Sequence, residues 1–304
     1  MFEQTLGDII SFSGVGLHCG RDINVCVFPA SAGSGITFVR TDLPGSPRVR
    51  ASAESVVATS YATSLGAAGV TVSTVEHMLA AFYSLGVDNA IVELDGPEVP
   101  ILDGSAAEFV DMIDAVGVTD LDASKKYLVV RKPIRVEEDG KYILLMPVDD
   151  WEFSVDYSID FAHPFLAEQT FRGHFSRDVF RREVGRARTF GFLRDVETLR
   201  ANGLAKGGSL NNAVVIGERE ILNEGGLRYP DEFVRHKVLD LMGDISLVGV
   251  PIIGHIIAHR SGHDLNNRLV KKVLRESGSW ELIEELPRRG RRHAAPFSES
   301  LAVV

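Results

Sequence analysis

The chain has 304 residues, 45% of them hydrophobic and 24% charged, with 29 glycines and two cysteines. That is enough apolar material for two domains with real cores, and the glycines imply many turns and much β structure. A formal net charge of −10 argues against a general nucleic-acid binder, although a few local Lys and Arg side chains suffice to hold an anionic small substrate.

The N-terminus, "MFEQTLGDII", carries acids where a secretory leader needs bases, and no long apolar run follows it. In "SGVGLHCG", Gly14-x-Gly16 lacks the third glycine and the strand–turn–helix setting of a dinucleotide loop. It reads as a glycine-rich turn between two strands, with His18 near a cleft. "INVCVF" and "GITFVR" have strand patterns. Cys19 and Cys26 match no zinc knuckle and provide no disulfide framework, so they read as reduced thiols of a cytoplasmic protein. A helix follows over about Thr74 to Leu85, with Gly86 as its C-cap. "NAIVEL" is the next strand. "DGSAAEFVDMIDAVG" then forms a second helix, with Phe109, Met112, Ile113 and Val116 on one face and Gly117 ending it.

The polar stretch "TDLDAS" (119–124) reads as a turn-rich domain boundary. The second half restarts with "KYLVVRKPIRVEEDGKYILLMP", a hairpin turned at Asp139-Gly140. "FSVDYSI" and "QTFRGHF" continue as strands. A short helix falls around Asp195 to Ala201, another at about Asp231 to Met242, and a final one in "GHDLNNRLVKKVL". Between the last two, "ISLVGVPIIGHIIAH" is broken by Gly249, Pro251, Gly254 and His255. It is too interrupted to span a bilayer and reads as buried strands. Each half is thus strands, a helix, strand material and a second helix, an α+β class with a duplicated plan. The expected units are residues 1–122 and 127–280. A tail at 286–304 loses periodicity, and its arginines read as solvated charge.

Three clusters have residues suited to chemistry. Ser73-x-x-Glu76 before an apolar run is a capping-box pattern, and taken alone that is the better account of Glu76. His77 beside it would then be a partly buried, hydrogen-bonded histidine. His236 and Asp240 are four apart, one turn along one helical face. They fit either an ion pair or two ligands of one metal. His263 opens a helix after a glycine. Together the clusters weigh more. A catalytic zinc takes three protein ligands and leaves a fourth position for water. His77, His236 and Asp240 supply that count, Glu76 lies next to such a water, and His263 is a separate proton donor. These are the parts of metal-assisted hydrolysis. The Glu-His order does not fit the His-Glu-x-x-His protease helix.

"SGVGLHCG", "TVSTVEHMLAAF", "PILDGSAAEF", "RARTFGF", "DEFVRHKVLDLMGD" and "SGHDLNN", in this order, resemble the UDP-3-O-acyl-N-acetylglucosamine deacetylase family. These are zinc amidases at the committed step of lipid A biosynthesis in Gram-negative bacteria. The resemblance runs from about residue 2 to residue 278. It implies two similar domains, each a sheet packed on two helices, in a β-α-α-β sandwich with the active site between them. It implies zinc, with ferrous iron as the other candidate for the cell, on His77, His236 and Asp240. Glu76 would be the general base and His263 the general acid.

Under that resemblance other residues acquire roles. The Thr189 hydroxyl can donate to the oxyanion, and Asp244 can hold and charge His263. Lys237, Lys141 and Arg260 are candidates for the substrate diphosphate, each with ordinary surface charge as the alternative. Arg260 stands where the family often has lysine, and the two are not geometrically equivalent. Glu197 is a candidate for a sugar or uracil contact. The family's acyl-binding βα insert maps to about residues 190–215. There Leu193, Val196, Leu199 and Leu204 would line a tunnel, with Phe190 and Phe192 at its mouth; a small helix packing its own core has the same spacing. The expected partners are the UDP-3-O-acyl-GlcNAc substrate and a regulatory protease reading the C-terminal "SLAVV". No nucleic acid, no membrane insertion and a monomer are expected. The rival readings are a zinc amidohydrolase for another acylated amino sugar and a non-catalytic metal-binding homologue. Three ligands accompanied by a free acid–base pair favour catalysis, since structural zinc sites are normally closed by four.

Overall fold

A computed structural model describes residues 1–161, 163, 166 and 168–284. The expected tail at 286–304 lies outside the described residues.

The first half opens with β1 (Phe2–Leu6), β2 (Ile10–Val15), β3 (Asp22–Pro29), β4 (Ile36–Arg40) and β5 (Arg48–Arg50). A small meander follows, β6 (Val56–Ala58), β7 (Ser64–Ala67) and β8 (Val70–Val72), leading into α1 (Glu76–Leu85). Then come β9 (Ala90–Leu94), α2 (Ala107–Val116) and β10 (Val118–Ser124). The main sheet has the order β2-β3-β9-β4-β5, antiparallel except where β4 runs parallel to β9. Alternation along β3 buries Ile23, Val25 and Val27, the two-residue period of a sheet with one face on a core. Residues 119–124, expected as a turn, instead form most of β10, which pairs antiparallel with β1. Its side chains are mostly polar because the ladder, not an apolar face, holds the strand.

The second half contains β11 (Tyr127–Val130), β12 (Ile134–Glu138), β13 (Lys141–Met146), β14 (Phe153–Ile159) and β15 (Gln169–His174). After a helical turn α3 (Arg177–Val179) come β16 (Phe190–Phe192), α4 (Leu193–Ala201) and β17 (Val214–Ile216). The chain closes with α5 (Glu232–Ser246), β18 (Ile252–His259), α6 (His263–Arg275) and β19 (Trp280–Ile283). Strand β18 is the spine of this sheet. It pairs antiparallel with β13 and parallel with β11 and β14. The run "ISLVGVPIIGHIIAH", expected as strands, splits into the end of α5, a turn and β18.

The architecture is α+β, as expected. α2 packs on β2 and on α1; α6 packs on β12, β13 and α5; α1 meets α5 in the middle. α1 is buried on nearly every side, from Glu76 through Phe82 and at Leu85, the mark of a helix inside a protein rather than on it. One apolar core runs through both halves, from Ile23, Phe38 and Leu79 to Leu241, Ile256 and Leu269. Among the described residues no helix is long and apolar enough to cross a membrane.

Candidate active site

The site forms where α1 crosses α5. A Cβ on Gly243 would lie 2.1 Å from the backbone oxygen of Glu76, so only glycine lets the two helices touch there. Glu76 and His77 occupy the first turn of α1. Thr74 just before them is in the left-handed region (φ 55), a strained turn for a β-branched residue. On α5, His236, Asp240 and Asp244 follow one another at four-residue spacing, so all three point to one face. His263 is the first residue of α6.

His77 Nε2 lies 3.6 Å and His236 Nε2 3.3 Å from Asp240 Oδ1. Ligands at zinc bond lengths around a tetrahedron stand about 3.3 Å apart, so this trio fits a metal ion with little adjustment. The His77 and His236 rings are nearly perpendicular, 5.0 Å between centroids. His236 Nδ1 faces the Ala187 carbonyl at 3.0 Å, the partner that leaves Nε2 free to ligate. Burial lowers the His236 pKa to about 3, which keeps the ring neutral as a ligand must be. Burial opposes the charge on Asp240, but the Lys237 and His263 cations beside it hold its carboxyl well below the usual range.

The base and acid candidates lie together beside the trio. Glu76 is buried, and burial raises its pKa, as a proton acceptor working near neutrality requires. Its Oε2 accepts the Thr63 backbone N–H at 3.1 Å, and its Oε1 stands 3.9 Å from His263 Nε2. His263 Nδ1 faces Asp244 Oδ2 at 2.9 Å. Burial acts to lower the His263 pKa, but Asp244 overrides it and raises it to about 9. Among the described residues, Glu76, Asp240 and Asp244 are thus three buried carboxylates facing only Lys237 and His263 as cations. That excess of negative charge in a low-dielectric site favours a bound cation.

The segment "RARTFGF" is fastened by a buried ion pair. Arg188 Nε and Nη2 reach the two oxygens of Glu232 at 2.8 and 3.0 Å, and Glu232 also accepts the backbone N–H of Arg188 and of Arg228. This holds Ala187 against His236 and places Thr189 beside the His77–His236–Asp240 trio, in the lining of a cavity of about 230 Å³. His18, Thr189, Phe190, Lys237 and His263 also line it. A second cavity, about 420 Å³, opens beyond His263 and contains Lys141, Lys237 and Arg260. The two share Phe161, Lys237 and His263.

A model of the LpxC family, UDP-3-O-acyl N-acetylglycosamine deacetylase, matches residues 3–275. A curated protein of Myxococcus xanthus (strain DK1622), named UDP-3-O-acyl-N-acetylglucosamine deacetylase, is 51% identical over 281 residues, 92% of this chain and 89% of that protein. Proteins of the same name from Syntrophus aciditrophicus (strain SB) and Citrifermentans bemidjiense (strain ATCC BAA-1014 / DSM 16622 / JCM 12645 / Bem) are each 48% identical. They cover 92% and 98% of this chain, and 88% and 96% of their own lengths. The chain belongs to the LpxC deacetylase family.

Several residues named from the sequence converge here: Glu76, His77, Thr189, His236, Lys237, Asp240, Asp244 and His263. Glu76 does not cap its helix. The Ser73 N–H goes to the Pro97 carbonyl, and the residue preceding α1 is Val75, with no side-chain cap. Lys237 Nζ is engaged by Asp240 Oδ2 at 2.5 Å. Phe190 packs edge-on to His236, 6.1 Å between centroids, and Phe161 touches both Phe190 and Phe192. On α4 no side chain is buried. Leu193 is 50% exposed, Val196, Leu199 and Leu204 are half-buried, and Glu197 is exposed and lines neither cavity. The insert docks instead through backbone: Gly207 and Lys206 donate to the Leu17 and His18 carbonyls at 3.0 and 3.3 Å.

Sequence reasoning missed Thr63 and Glu98. Buried Glu98 accepts the backbone N–H groups of His18 and Cys19 and the Thr74 hydroxyl, fixing the "GLHCG" turn under the site. An acid between apolar residues in "GPEVPIL" is the one signal that could have pointed to it.

Proposed function

We propose that this chain removes the N-acetyl group of UDP-3-O-(3-hydroxyacyl)-N-acetylglucosamine, giving acetate and the UDP-3-O-acyl-glucosamine of lipid A biosynthesis. The observation that carries the reading is the pairing of Glu76 Oε1 and His263 Nε2, 3.9 Å apart, beside the His77–His236–Asp240 trio. A zinc ion on these three residues would supply Lewis acidity and an acidified water; ferrous iron suits the same N/O set.

The chain's own groups then handle the protons. Glu76 takes the proton of the attacking water on its Oε1 side. His263, kept protonated by Asp244, delivers one from Nε2 to the departing amine, without which an amide nitrogen leaves poorly. Thr189 Oγ donates to the oxyanion. Lys141, Lys237 and Arg260 line the outer cavity as the cationic seat of the diphosphate. Phe190 and Phe192 flank the path into the 190–215 insert, where Leu193, Val196, Leu199 and Leu204 meet the acyl chain and Glu197 meets a sugar or uracil group.

In this reading residues 1–122 and 127–280 are two units that each contribute half of the chemistry. One chain holds every reacting group, so a monomer suffices. A nucleotide-sugar substrate places the work in the cytoplasm. The tail is read as a degradation signal, which turnover of a fusion carrying residues 292–304 tests. The deciding experiment is release of acetate from UDP-3-O-acyl-GlcNAc with and without a chelator. Chelator-sensitive turnover supports the reading; no turnover, or turnover indifferent to metal, overturns it. A substrate lacking the acyl chain should lose kcat/KM markedly.

A further inference from the structure

We infer that Thr63 is a positioning residue for the reaction, joining the general base to the histidine acid. The inference rests on the deacetylase reading above. Thr63 lies just before β7 and is 1% exposed. It bonds to both proton-transfer arms at once. Its backbone N–H donates to Glu76 Oε2 at 3.1 Å. Its hydroxyl donates to Asp244 Oδ1 at 2.5 Å and lies 3.2 Å from His263 Nδ1.

The Asp244 carboxylate shows why this hydroxyl matters. Oδ2 faces His263 Nδ1 and accepts from Asn266 Nδ2, both at 2.9 Å. Oδ1 is held by Thr63. With both oxygens tied, the carboxylate cannot rotate, and His263 is kept in the orientation that aims Nε2 at the site. Without the hydroxyl, a buried anionic oxygen loses its donor and turns to find another. The amide of the same residue pins one oxygen of Glu76 and leaves the other facing His263 Nε2 at 3.9 Å. One rigid residue therefore sets the spacing between the group that takes a proton and the group that gives one.

Thr63 is itself well anchored. Its carbonyl accepts the Val75 N–H, and the next residue's hydroxyl meets that of Ser73 at 2.8 Å. Tyr61, two residues earlier, sits in the left-handed region (φ 65). Such strain persists only where the surrounding structure enforces it.

The test compares Thr63→Val with Thr63→Ser in the full-length, zinc-loaded chain. Valine keeps the shape and the amide but removes the hydroxyl; serine keeps the hydroxyl. Losing a hydrogen bond to a charged group should lower kcat roughly ten- to hundredfold, with KM and bound zinc unchanged and most of the rate restored in Thr63→Ser. Wild-type kcat in Thr63→Val, or equal impairment of both variants, overturns the inference. If Thr63→Val does not fold, Thr63→Ala replaces it. In an Asp244→Asn background, removing the hydroxyl should have much less effect, because its charged acceptor is gone; fully additive losses also overturn it. A readout independent of turnover is the downfield proton signal of His263 Nδ1, assigned with His263→Gln. It should shift on loss of the Thr63 hydroxyl, and an unmoved signal counts against the contact. If the wild-type chain releases no acetate while that signal responds, the functional reading fails and the contact stands.

Discussion

Glu76 Oε1 and His263 Nε2 face each other at 3.9 Å, a carboxylate from the first turn of α1 and an imidazole from the first residue of α6. Neither helix alone could place an acid beside a base in this way. Their environments suit the roles proposed for them. Burial raises the pKa of Glu76, whereas Asp244 raises that of His263, the directions that favour a proton acceptor and a proton donor.

Glu76→Gln and His263→Gln should each lower kcat by about 10²–10⁴-fold while bound zinc stays at wild-type stoichiometry. Initial rates with metal analysis check this. The double variant should be little worse than the worse single one, because the two groups act as a unit.

The pH profile should lose activity on its alkaline side as His263 gives up its proton. Its pKa is raised to about 9, so the acid form and the rate are present below that value and lost above it. In Asp244→Asn the raising charge is gone and the lowering effect of burial prevails. The alkaline limb should therefore move to lower pH, read from kcat/KM between about pH 6 and 10. An unmoved limb would mean another group sets it.

Removing the metal should weaken the fold as well as the rate. A ligand held only by the folded chain stabilises by about 4 kcal/mol at a thousandfold excess over its Kd. Here it also neutralises a site with three carboxylates. The Tm should fall on dialysis against a chelator and return with zinc, and His236→Ala should show little of that difference.

Gly243→Ala should destabilise by about 1–3 kcal/mol or more, since its Cβ would fall 2.1 Å from the Glu76 oxygen. Pushing α1 away also moves the base, so kcat should fall with stability. Gly278→Ala, with open space around it, is the control and should change neither. Urea unfolding and initial rates measure both.

Glu232→Ala should be worse than a surface change, at about 3–5 kcal/mol, because it leaves Arg188 charged and unpaired in the interior. Replacing both partners with apolar residues should recover part of that loss.

What was legible in the sequence follows from range. His236, Asp240 and Asp244 share a face because of helical spacing, which a single chain segment displays. Glu76-His77 gained meaning once set beside them. Thr63 and Glu98 come from irregular chain, and only the packing of distant segments brings them to the site. Two segments misled for opposite reasons. Residues 119–124 are too polar to look like a strand, yet backbone pairing with β1 suffices. "ISLVG" is apolar enough to look like one, yet it is the last turn of α5 and the turn beyond it.

The close crossing of α1 and α5 decides how a long substrate can get in. With Gly243 backbone against Glu76 backbone, no layer of side chains can slip there, and α1 cannot move off α5 without pulling Glu76 away from His236 and Asp240. Access is left to the side where α4 buries none of its side chains and residues 206–207 are tied to the "GLHCG" turn by a few backbone bonds. An inhibitor that wedges the halves apart has nothing to grip. One that enters past α4 and ends in a group that reaches the His77–His236–Asp240 trio works with the grain of the molecule.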